Sequence, residues 1–436
     1  MRIAVVGAGY VGLVTGVGLA EHGHHVVCVD VDAARVEAIN AGRAPIVEAG
    51  LDELLARHAG ERFTATTDIV DAVAASSVIF VCVGTPSRPD GSIDTSFVQT
   101  AAAEVGAALR PGHSVIVKST VVPGTTDELV TATLTEASGL RPGEDFGVGA
   151  NPEFLTEGQA VADFLYPDRI VIGGDDLALS ALREVYAEFT GVPLVQTNAR
   201  TAEMIKYASN AMLATAISFT NELANLGAAL GGVDTTEVMR GVHLSRYLTS
   251  HAPGRAGLAS FFEAGCGYGG SCLPKDVAAL TALGDQVGSP LRVLQAVAAV
   301  NDDQPSRLVD IVEHELGGLA GRRVTVLGLA FKPDTDDTRC SPAFPVIRQL
   351  RDKGADVVVH DPVVGAEAVA DLPGVTHSTD LAVAVKGADA VVLITKWEQY
   401  QALPGLLAEL DAKPLVVDGR RVLEASSVAR YAGIGR

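Results

Sequence analysis

Short apolar runs alternate with segments of helical spacing through the first 200 residues. Strand-like runs include "RIAVVG", "HVVCVD", "SVIFVCVG", "SVIVKST", "FGVGAN", "RIVIGG" and "PLVQT". Residues 95–109 and 177–189 lie between such runs, and their apolar positions recur at helical spacing. Alternation of this kind predicts a mostly parallel, doubly wound sheet.

The pattern changes near Arg200. Residues 201–230 show apolar positions at three-to-four spacing and read as one long helix, and more helical segments follow to about 300. A second strand–helix alternation opens at "RRVTVLGLAF" and continues with "ADVVVHDP", "ADAVVLITKW" and "PLVVDGR". The predicted fold is therefore α/β: two Rossmann-like doubly wound parallel-sheet domains joined by a central helical section with one long helix. The expected boundaries are 1–200, 201–300 and 315–436.

The composition of the chain limits the kinds of partner that it is expected to bind. Of 436 residues, 33 are Lys or Arg and 53 are Asp or Glu, which gives a net charge of −20. A chain this acidic is a poor general binder of nucleic acid or anionic membrane, so we expect neither partner. No uninterrupted apolar run approaches the ~18 residues of a membrane span, and "MRIAVVGAGYVG" lacks the features of a signal peptide.

Cysteine usage points to a reducing compartment. The five cysteines are odd in number and scattered, which argues against a disulfide framework, and no pair has metal-ligand spacing. We therefore expect a cytoplasmic protein without a metal site.

The turn "GAGYVG" fits G-x-G-x-x-G, follows a strand, opens a helix and precedes a second strand that ends in an acid. That context is the dinucleotide fingerprint, with the pyrophosphate at the helix N-terminus. The acid favours NAD over NADP because its charge repels a 2′-phosphate. FAD or a nucleotide sugar in this lobe are alternatives, as is a structural glycine turn. The predicted cofactor residues here are Gly7, Gly9, Tyr10, Val11, Gly12, Asp30 and Arg35.

Two threonine-bearing stretches, "CVGTPS" and "KSTVVPGT", each follow a strand. Ligands of open sheets bind at the carboxyl ends of strands, so Thr85 and Thr120 are candidates to face the nicotinamide. The alternative is that both are simply helix N-caps.

The stretch "GCGYGGSCLPKD" sets Cys272 in a glycine-rich loop before a predicted helix. A thiolate there could attack an aldehyde and form a thiohemiacetal, which can give up a second hydride and become a thioester. The helix start and Lys275 favour a lowered thiol pKa, and Asp276 could be an N-cap or a base. The alternative is a bystander cysteine, the role we expect for Cys266.

Taken together, the motifs resemble the nucleotide-sugar dehydrogenases of the UDP-glucose/GDP-mannose 6-dehydrogenase family over nearly the whole chain. The matching stretches are "GAGYVG", "CVGTPS", "KSTVVPGT", "NPEFLTEG", "PDRIVIGG", "EMIKYASNA", "GYGGSCLPKD", "GLAFKPDTDDTRCSP" and "DGRR". The resemblance implies a four-electron oxidation at sugar C6, in which UDP-glucose and two NAD give UDP-glucuronate.

Catalytic roles follow from the same resemblance. Cys272 looks like the nucleophile, and Lys206 like the group that holds the C6 oxygen. Asn210 lies four residues after Lys206, which suits a second donor to the developing oxyanion. The structural alternatives are a solvated lysine and an exposed polar asparagine on a helix.

Three more residues complete the implied chemistry. Asp276 resembles the residue that, with Thr120, holds a water used in proton transfer. Glu153 resembles the base for thioester hydrolysis, and its alternative is an ordinary acid at a helix start.

The resemblance also implies binding residues, with substrate between the two lobes. Further cofactor contacts are expected from Thr85, Thr120, Glu157, Lys275 and Arg339. Substrate contacts are expected from Phe154, Leu155, Glu157, Lys206, Asn210, Phe261, Tyr268, Gly269, Lys332 and Arg420. An arginine that crosses to a neighbouring subunit is expected as Arg255, with Arg246 as competitor. Similar proteins form homodimers through the middle helices.

Rival functions remain open at this point. Within the family, dTDP-glucose, UDP-N-acetylmannosamine or GDP-mannose could replace UDP-glucose. A one-step NAD alcohol dehydrogenase would need no nucleophile, and a nucleotide-sensing protein would bind NAD without turnover.

Overall fold

The computed structural model describes residues 1–245 and 261–435, so Arg246 and Arg255 lie outside the described part. The chain divides into two compact units, Met1–Ser209 and Asn210–Arg436. No described helix combines the length and apolarity that crossing a bilayer requires.

The first unit alternates strands and helices. Its strands are β1 (Arg2–Val6), β2 (His25–Val29), β3 (Phe63–Thr66), β4 (Val78–Val81), β5 (Ser114–Val117), β6 (Gly147–Ala150), β7 (Ile170–Gly174) and β8 (Leu194–Thr197). Its helices are α1 (Tyr10–Glu21), α2 (Ala33–Asn40), α3 (Leu51–His58), α4 (Ile69–Ala74), α5 (Ser96–Ala108), α6 (Thr131–Ser138, preceded by a π-turn over Thr126–Val130), α7 (Ala160–Leu165) and α8 (Asp176–Val185).

These strands form one sheet in the described residues, in the order β3-β2-β1-β4-β5-β6-β7-β8. Every pairing is parallel except β6–β7, which is antiparallel. The chain order reverses between β1 and β4, and ligands of open α/β sheets bind at such a switch point. Strands β4, β5 and β6 are buried along their whole length, as their unbroken apolar runs require.

Helix α9 (Ala199–Leu230) contains the boundary between the units. The second unit continues with helices α10 (Thr235–His243), α11 (Leu273–Gln286), α12 (Arg292–Leu316), α13 (Ala343–Asp352), α14 (Leu381–Val385) and α15 (Leu403–Glu409). Its strands are β9 (Arg323–Leu327), β10 (Asp356–His360), β11 (Val375–His377), β12 (Ala390–Leu393), β13 (Leu415–Asp418) and β14 (Arg430–Gly433), with short 3₁₀ turns at Ala366–Val369, Glu398–Ala402 and Ala425–Ser427.

The second sheet repeats the winding of the first. Among the described residues its order is β11-β10-β9-β12-β13-β14, and all of its pairings are parallel. The predicted fold class, two doubly wound parallel sheets and a helical section with one long helix, is confirmed.

The repetition extends to the first turn of each sheet. Gly7 and Gly328 follow β1 and β9 with φ of 102° and 101°. Asp30 and Asp361 directly follow β2 and β10. The two acids differ in use: Asp361 is buried, and its oxygens accept hydrogen bonds from five N–H donors of its own lobe, namely the backbone of Leu329, Ala330, Val363 and Val364 and the indole of Trp397.

Candidate active site

The glycine turn after β1 is shaped by close contacts. A Cβ on Gly7 would lie 2.6 Å from the carbonyl oxygen of Cys82, and a Cβ on Gly12 would collide with the carbonyl oxygen of Gly7. Around Gly9 there is open space, because no atom beyond the adjacent backbone lies within 4 Å of the position that a Cβ would take. The turn is therefore tight on its inner side and open where a pyrophosphate would approach the N-terminus of α1.

Asp30 is fixed at the edge of this turn. Its carboxylate accepts hydrogen bonds from the amides of Ala8 at 2.8 Å and Asp32 at 3.0 Å, and pairs with Arg35 at 3.0 Å. Burial opposes ionisation, but these amides and the Arg35 guanidinium hold the pKa of Asp30 below its usual range. An ionised acid beside an open glycine turn fits the adenosine ribose of NAD.

Thr85 and Thr120 lie at the ends of neighbouring strands and touch each other. The Thr85 hydroxyl donates to the carbonyl oxygen of Thr120 at 2.9 Å. The helices that follow them begin at Ser96 and, with the π-turn, at Thr126, so neither threonine is an N-cap.

The loop after β6 carries a buried ion pair. Lys206 Nζ on α9 lies 2.9 Å from Glu153 Oε1, and only 4% of Lys206 and 7% of Glu153 is exposed. The other Glu153 oxygen accepts the amide of Leu155 at 2.6 Å. Burial works against the carboxylate, but the charge of Lys206 and these hydrogen bonds lower the pKa of Glu153, so it is ionised at neutral pH.

A second buried lysine, which the sequence analysis did not single out, supports the same loop. Lys118 follows β5 and donates to the side-chain oxygen of Asn151 at 2.9 Å. Burial lowers the pKa of Lys118 to about 8. Phe154, a predicted substrate residue, lies under the guanidinium of Arg169 at 4.0 Å from its ring centre.

Another residue that the sequence analysis missed holds the far end of this loop. Glu48, buried between α2 and α3, accepts hydrogen bonds from the amides of Gly158 at 2.7 Å and Ala160 at 2.9 Å. It also accepts the hydroxyl of Tyr10, from the glycine turn. Nothing in its local sequence signals this role, because the contact spans 110 residues.

Cys272 lies in the second unit, at the N-cap of α11, and is exposed. The hydroxyl of Ser271 is 3.5 Å from its sulfur. Pro274 in the first turn suits a helix start, since proline lacks the amide that such positions leave unpaired. The thiol therefore lies at the positive end of the dipole of α11.

Asp276 is in the first turn of α11, so it is not the N-cap. It is buried, and its two oxygens are occupied separately. Asn210 Nδ2 donates to one oxygen at 2.6 Å, and Lys275 Nζ donates to the other at 2.6 Å. Three predicted site residues thus form one hydrogen-bonded group.

The glycines before Cys272 are explained by what packs on them. A Cβ on Gly270 would lie 2.7 Å from the Phe331 ring, and the amide of Gly270 donates to the carbonyl oxygen of Arg339 at 2.9 Å. A Cβ on Gly269 would collide with the carbonyl oxygen of Cys340. The loop runs directly against backbone, which only glycine permits.

Polar side chains hold the start of the cysteine loop through hydrogen bonds to its backbone. The amides and carbonyls of residues 265–268 are bonded by Asn221, Asn301, Gln304 and Arg420. Arg420, a predicted substrate residue, donates to Gly267 O at 2.7 Å and to Ile394 O at 2.9 Å.

The remaining predicted residues of the second unit differ in their burial and contacts. Phe261 is half-buried and Tyr268 is buried. Lys332 Nζ lies 5.7 Å above the Phe331 ring, and Arg339 is exposed and paired with Asp337 at 2.7 Å.

Comparison with known protein families shows which family the chain belongs to. Three models of the UDP-glucose/GDP-mannose dehydrogenase family match the chain: the NAD binding domain over residues 1–190, the central domain over 200–303 and the UDP binding domain over 325–425. The fold and these matches define an NAD-dependent nucleotide-sugar dehydrogenase. The chain belongs to the UDP-glucose/GDP-mannose dehydrogenase family, and the predictions of family, enzyme class and NAD are confirmed.

Individual relatives agree. UDP-glucose 6-dehydrogenase AglM of Haloferax volcanii is 43% identical, with 97% of each chain covered. A UDP-glucose dehydrogenase structure from Pyrobaculum islandicum has a TM-score of 0.89 and 42% identity, covering 100% of this chain and 97% of that one. A UDP-D-ManNAc dehydrogenase structure from Pyrococcus horikoshii has a TM-score of 0.87 and 30% identity, covering 100% and 99%.

Proposed function

We propose that this enzyme oxidises the C6 hydroxyl of UDP-glucose to the carboxylate of UDP-glucuronate, with two NAD reduced per sugar. The names of its relatives support the substrate, since the proteins from Haloferax volcanii and Pyrobaculum islandicum are both called UDP-glucose dehydrogenases. The match to the UDP binding domain model supports a substrate that carries a uridine nucleotide. Bound NAD supplies the hydride acceptor for both oxidations.

In the first oxidation, alcohol to aldehyde, Lys206 holds the C6 oxygen and stabilises its developing negative charge. Asn210 is the second donor to that oxygen. Thr120 and Asp276 hold the water that takes up the hydroxyl proton. Support comes from Lys206, whose buried ammonium is already desolvated and so interacts strongly with a nearby charge.

In the second oxidation the Cys272 thiolate adds to the aldehyde carbon and forms a C–S bond. The thiohemiacetal loses hydride and becomes a thioester. Glu153 then takes a proton from water, which attacks the thioester carbon, and the C–S bond breaks to release carboxylate and thiolate. Support comes from the ion pair with Lys206, which keeps the buried carboxylate of Glu153 ionised, and a base must be ionised before it accepts a proton.

The observation that carries the four-electron proposal is the exposed thiol of Cys272 at the start of α11. The test is the ratio of NADH formed to UDP-glucose consumed, with the product identified by mass spectrometry. A ratio of two with UDP-glucuronate as product supports the proposal. A ratio of one, with the aldehyde released, would support a one-step alcohol dehydrogenase instead.

A second candidate substrate has specific support. The Pyrococcus horikoshii structure is that of a UDP-D-ManNAc dehydrogenase and shares 30% identity over the whole chain. UDP-N-acetylmannosamine, dTDP-glucose and GDP-mannose therefore belong in the same assay. The best substrate is the one with the highest kcat/KM, and we expect that to be UDP-glucose.

The remaining assignments are part of the proposal. The NAD-binding domain spans 1–200, the central domain 201–300 and the nucleotide-sugar domain 315–436. Cofactor is held by Gly7, Gly9, Tyr10, Val11, Gly12, Asp30, Arg35, Thr85, Thr120, Glu157, Lys275 and Arg339. Substrate is held by Phe154, Leu155, Glu157, Lys206, Asn210, Arg255, Phe261, Tyr268, Gly269, Lys332 and Arg420.

The assembly and setting complete it. We propose a homodimer formed through the middle helices, working in the cytoplasm on precursors of polysaccharides. Support for the dimer comes from α9, where Met212, Phe219 and Leu226 recur at heptad spacing and are 59%, 47% and 55% exposed. A compartment that keeps thiols reduced suits a cysteine nucleophile.

A further inference from the structure

Glu48 belongs to none of the motifs that carry the chemistry, yet it is buried. A carboxylate removed from water requires partners to offset its desolvation. Among its partners are groups from two separate segments: Tyr10, in the glycine turn, and the backbone of residues 158–160. Both segments and Glu48 belong to the first unit.

Each partner is tied to a predicted function. Tyr10 is the first residue of α1, whose N-terminus is expected to face the pyrophosphate. Gly158 directly follows Glu157, and the same loop begins with the base Glu153. One carboxylate therefore joins the turn that binds cofactor to the loop that carries Glu153 and Glu157.

Glu48, Tyr10 and the amide of Gly158 are each hydrogen-bonded to the other two. The amide of Gly158 donates to Glu48 Oε2 at 2.7 Å and to the Tyr10 hydroxyl at 3.0 Å, and that hydroxyl donates to the same carboxylate oxygen. Gly158 has φ of 84°, a conformation that most residues avoid, so the loop turns sharply there into α7. The second oxygen accepts the first amide of α7, from Ala160, at 2.9 Å.

We infer that Glu48 is a positioning residue for the dehydrogenase reaction, fixing the loop of Glu153 and Glu157 relative to the cofactor turn through Tyr10 and Gly158. This inference rests on the proposed roles of those two glutamates. Without Glu48, the amide of Ala160 loses its acceptor and the amide of Gly158 keeps only the Tyr10 hydroxyl, so the loop is free to move away from the bound cofactor. Displacements of about 1 Å from productive geometry can cost ~100-fold in rate.

The principal variant is Glu48→Gln, which keeps the size of the side chain but turns one acceptor into a donor that faces an amide. Tyr10→Phe is a milder second variant, because Gly158 keeps its bond to Glu48. Glu53→Gln is the control, since Glu53 is an exposed glutamate nearby on α3. For each purified protein, the measurements are the dissociation constant of NADH by fluorescence, KM for NAD, kcat with UDP-glucose and the melting temperature.

For Glu48→Gln we expect the dissociation constant of NADH and the KM for NAD each to rise about 10-fold, and kcat to fall about 10-fold. This is the size of effect that the loss of one or two hydrogen bonds to a charged group implies. Tyr10→Phe should show the same pattern at about 2- to 3-fold, and Glu53→Gln no change. In the double variant the two effects should not be additive, because Tyr10, Glu48 and the Gly158 amide are bonded to one another.

A role in folding alone would lower the melting temperature and leave NADH affinity and kcat unchanged well below it. That result for both Glu48→Gln and Tyr10→Phe overturns the inference. NADH binding needs no sugar, so this arm still tests Glu48 if the wild-type enzyme proves inactive on UDP-glucose, an outcome that would overturn only the proposed substrate.

Discussion

Lys206 and Glu153 form an ion pair in which both side chains are almost completely buried, with 2.9 Å between Nζ and Oε1. Charges at this distance interact more strongly away from water than at a surface, and removing one partner strands the other. The pair also links the two proposed roles, since one group holds the reacting oxygen and the other activates the hydrolytic water. Their properties must therefore be tested separately.

Glu153→Gln tests the base. Glutamine preserves the shape of the side chain but cannot take a proton from water, so we expect the thioester on Cys272 to accumulate and steady-state turnover to fall at least ~100-fold. Intact mass spectrometry after mixing with UDP-glucose and NAD should show the adduct. Glu104→Gln, an exposed glutamate on α5, is the matched control and should show none. A variant that turns over normally would contradict the role.

Cys272→Ser tests the nucleophile. A serine hydroxyl at this position is not ionised, so acid formation should fall by ~1,000-fold or more, and NADH per sugar should drop from two towards one in single-turnover experiments. Cys340→Ser is the control, because Cys340 is the other exposed cysteine of the second unit. Wild-type production of UDP-glucuronate by Cys272→Ser would refute the covalent mechanism.

Asp30→Ser tests cofactor choice. Loss of a charged acceptor for the ribose hydroxyls should raise KM for NAD about 10- to 100-fold, the range expected for a hydrogen bond to a charged group. It should also improve kcat/KM for NADP, because the repulsion is gone and Arg35 is released from its ion pair. Asp32→Asn, which alters the exposed N-cap of α2, should leave both constants close to wild type.

Glu203 makes stability depend on pH. Burial raises its pKa to about 6 from 4.5, although the amides of Thr126 and Gly124 donate to it at 2.9 and 2.6 Å. The folded protein keeps this proton to higher pH than the unfolded chain, so its contribution to the free energy of unfolding is lost as pH rises from 4.5 to 6. The loss is ~2 kcal/mol.

The measurement is urea unfolding of the wild type and Glu203→Gln at pH 5 and pH 7. The wild type should lose stability relative to the variant at the higher pH. Glu222→Gln, exposed on the same helix, should follow the wild type. Identical pH dependence for all three proteins would show that Glu203 does not titrate in this range.

Leu226→Asp tests the dimer. Leu226 is 55% exposed on α9, and an aspartate in an apolar interface would be desolvated without a partner. We expect light scattering to give the mass of a monomer for this variant and of a dimer for the wild type. Phe97→Asp on α5, with the same exposure, should remain dimeric. A wild type that is monomeric at all concentrations would end the proposal.

Much of the fold could be predicted because parallel strands leave unbroken apolar runs, as in β4 and β5. The sequence analysis missed β3, β11 and β14. These strands are three or four residues long, and their polar residues resemble loops. They lie at sheet edges or far from the switch point, where burial imposes little pattern.

The site was predicted unevenly for a similar reason. The glycine turn and the cysteine loop are continuous in sequence, so their chemistry can be read locally. Glu48, Lys118 and Asn151 act through partners distant in the chain or across neighbouring strands, and a lone Glu or Lys in a loop has no distinguishing pattern. The bond between Asn210 and Asp276 likewise needs the fold of the second unit before it can be seen.

The two lobes share a winding order, but Asp361 turns inward, and its lone pairs are taken up by five N–H groups of its own lobe. Its carboxylate is therefore not available to accept hydrogen bonds from the hydroxyls of a ribose. The C-terminal lobe keeps the strand order of a dinucleotide-binding domain but lacks the acid that recognises the ribose. In the proposed four-electron oxidation, both hydrides would therefore go to NAD held by the N-terminal lobe, one after the other. The first NADH would leave before the second NAD binds, and the rate of this exchange would enter kcat.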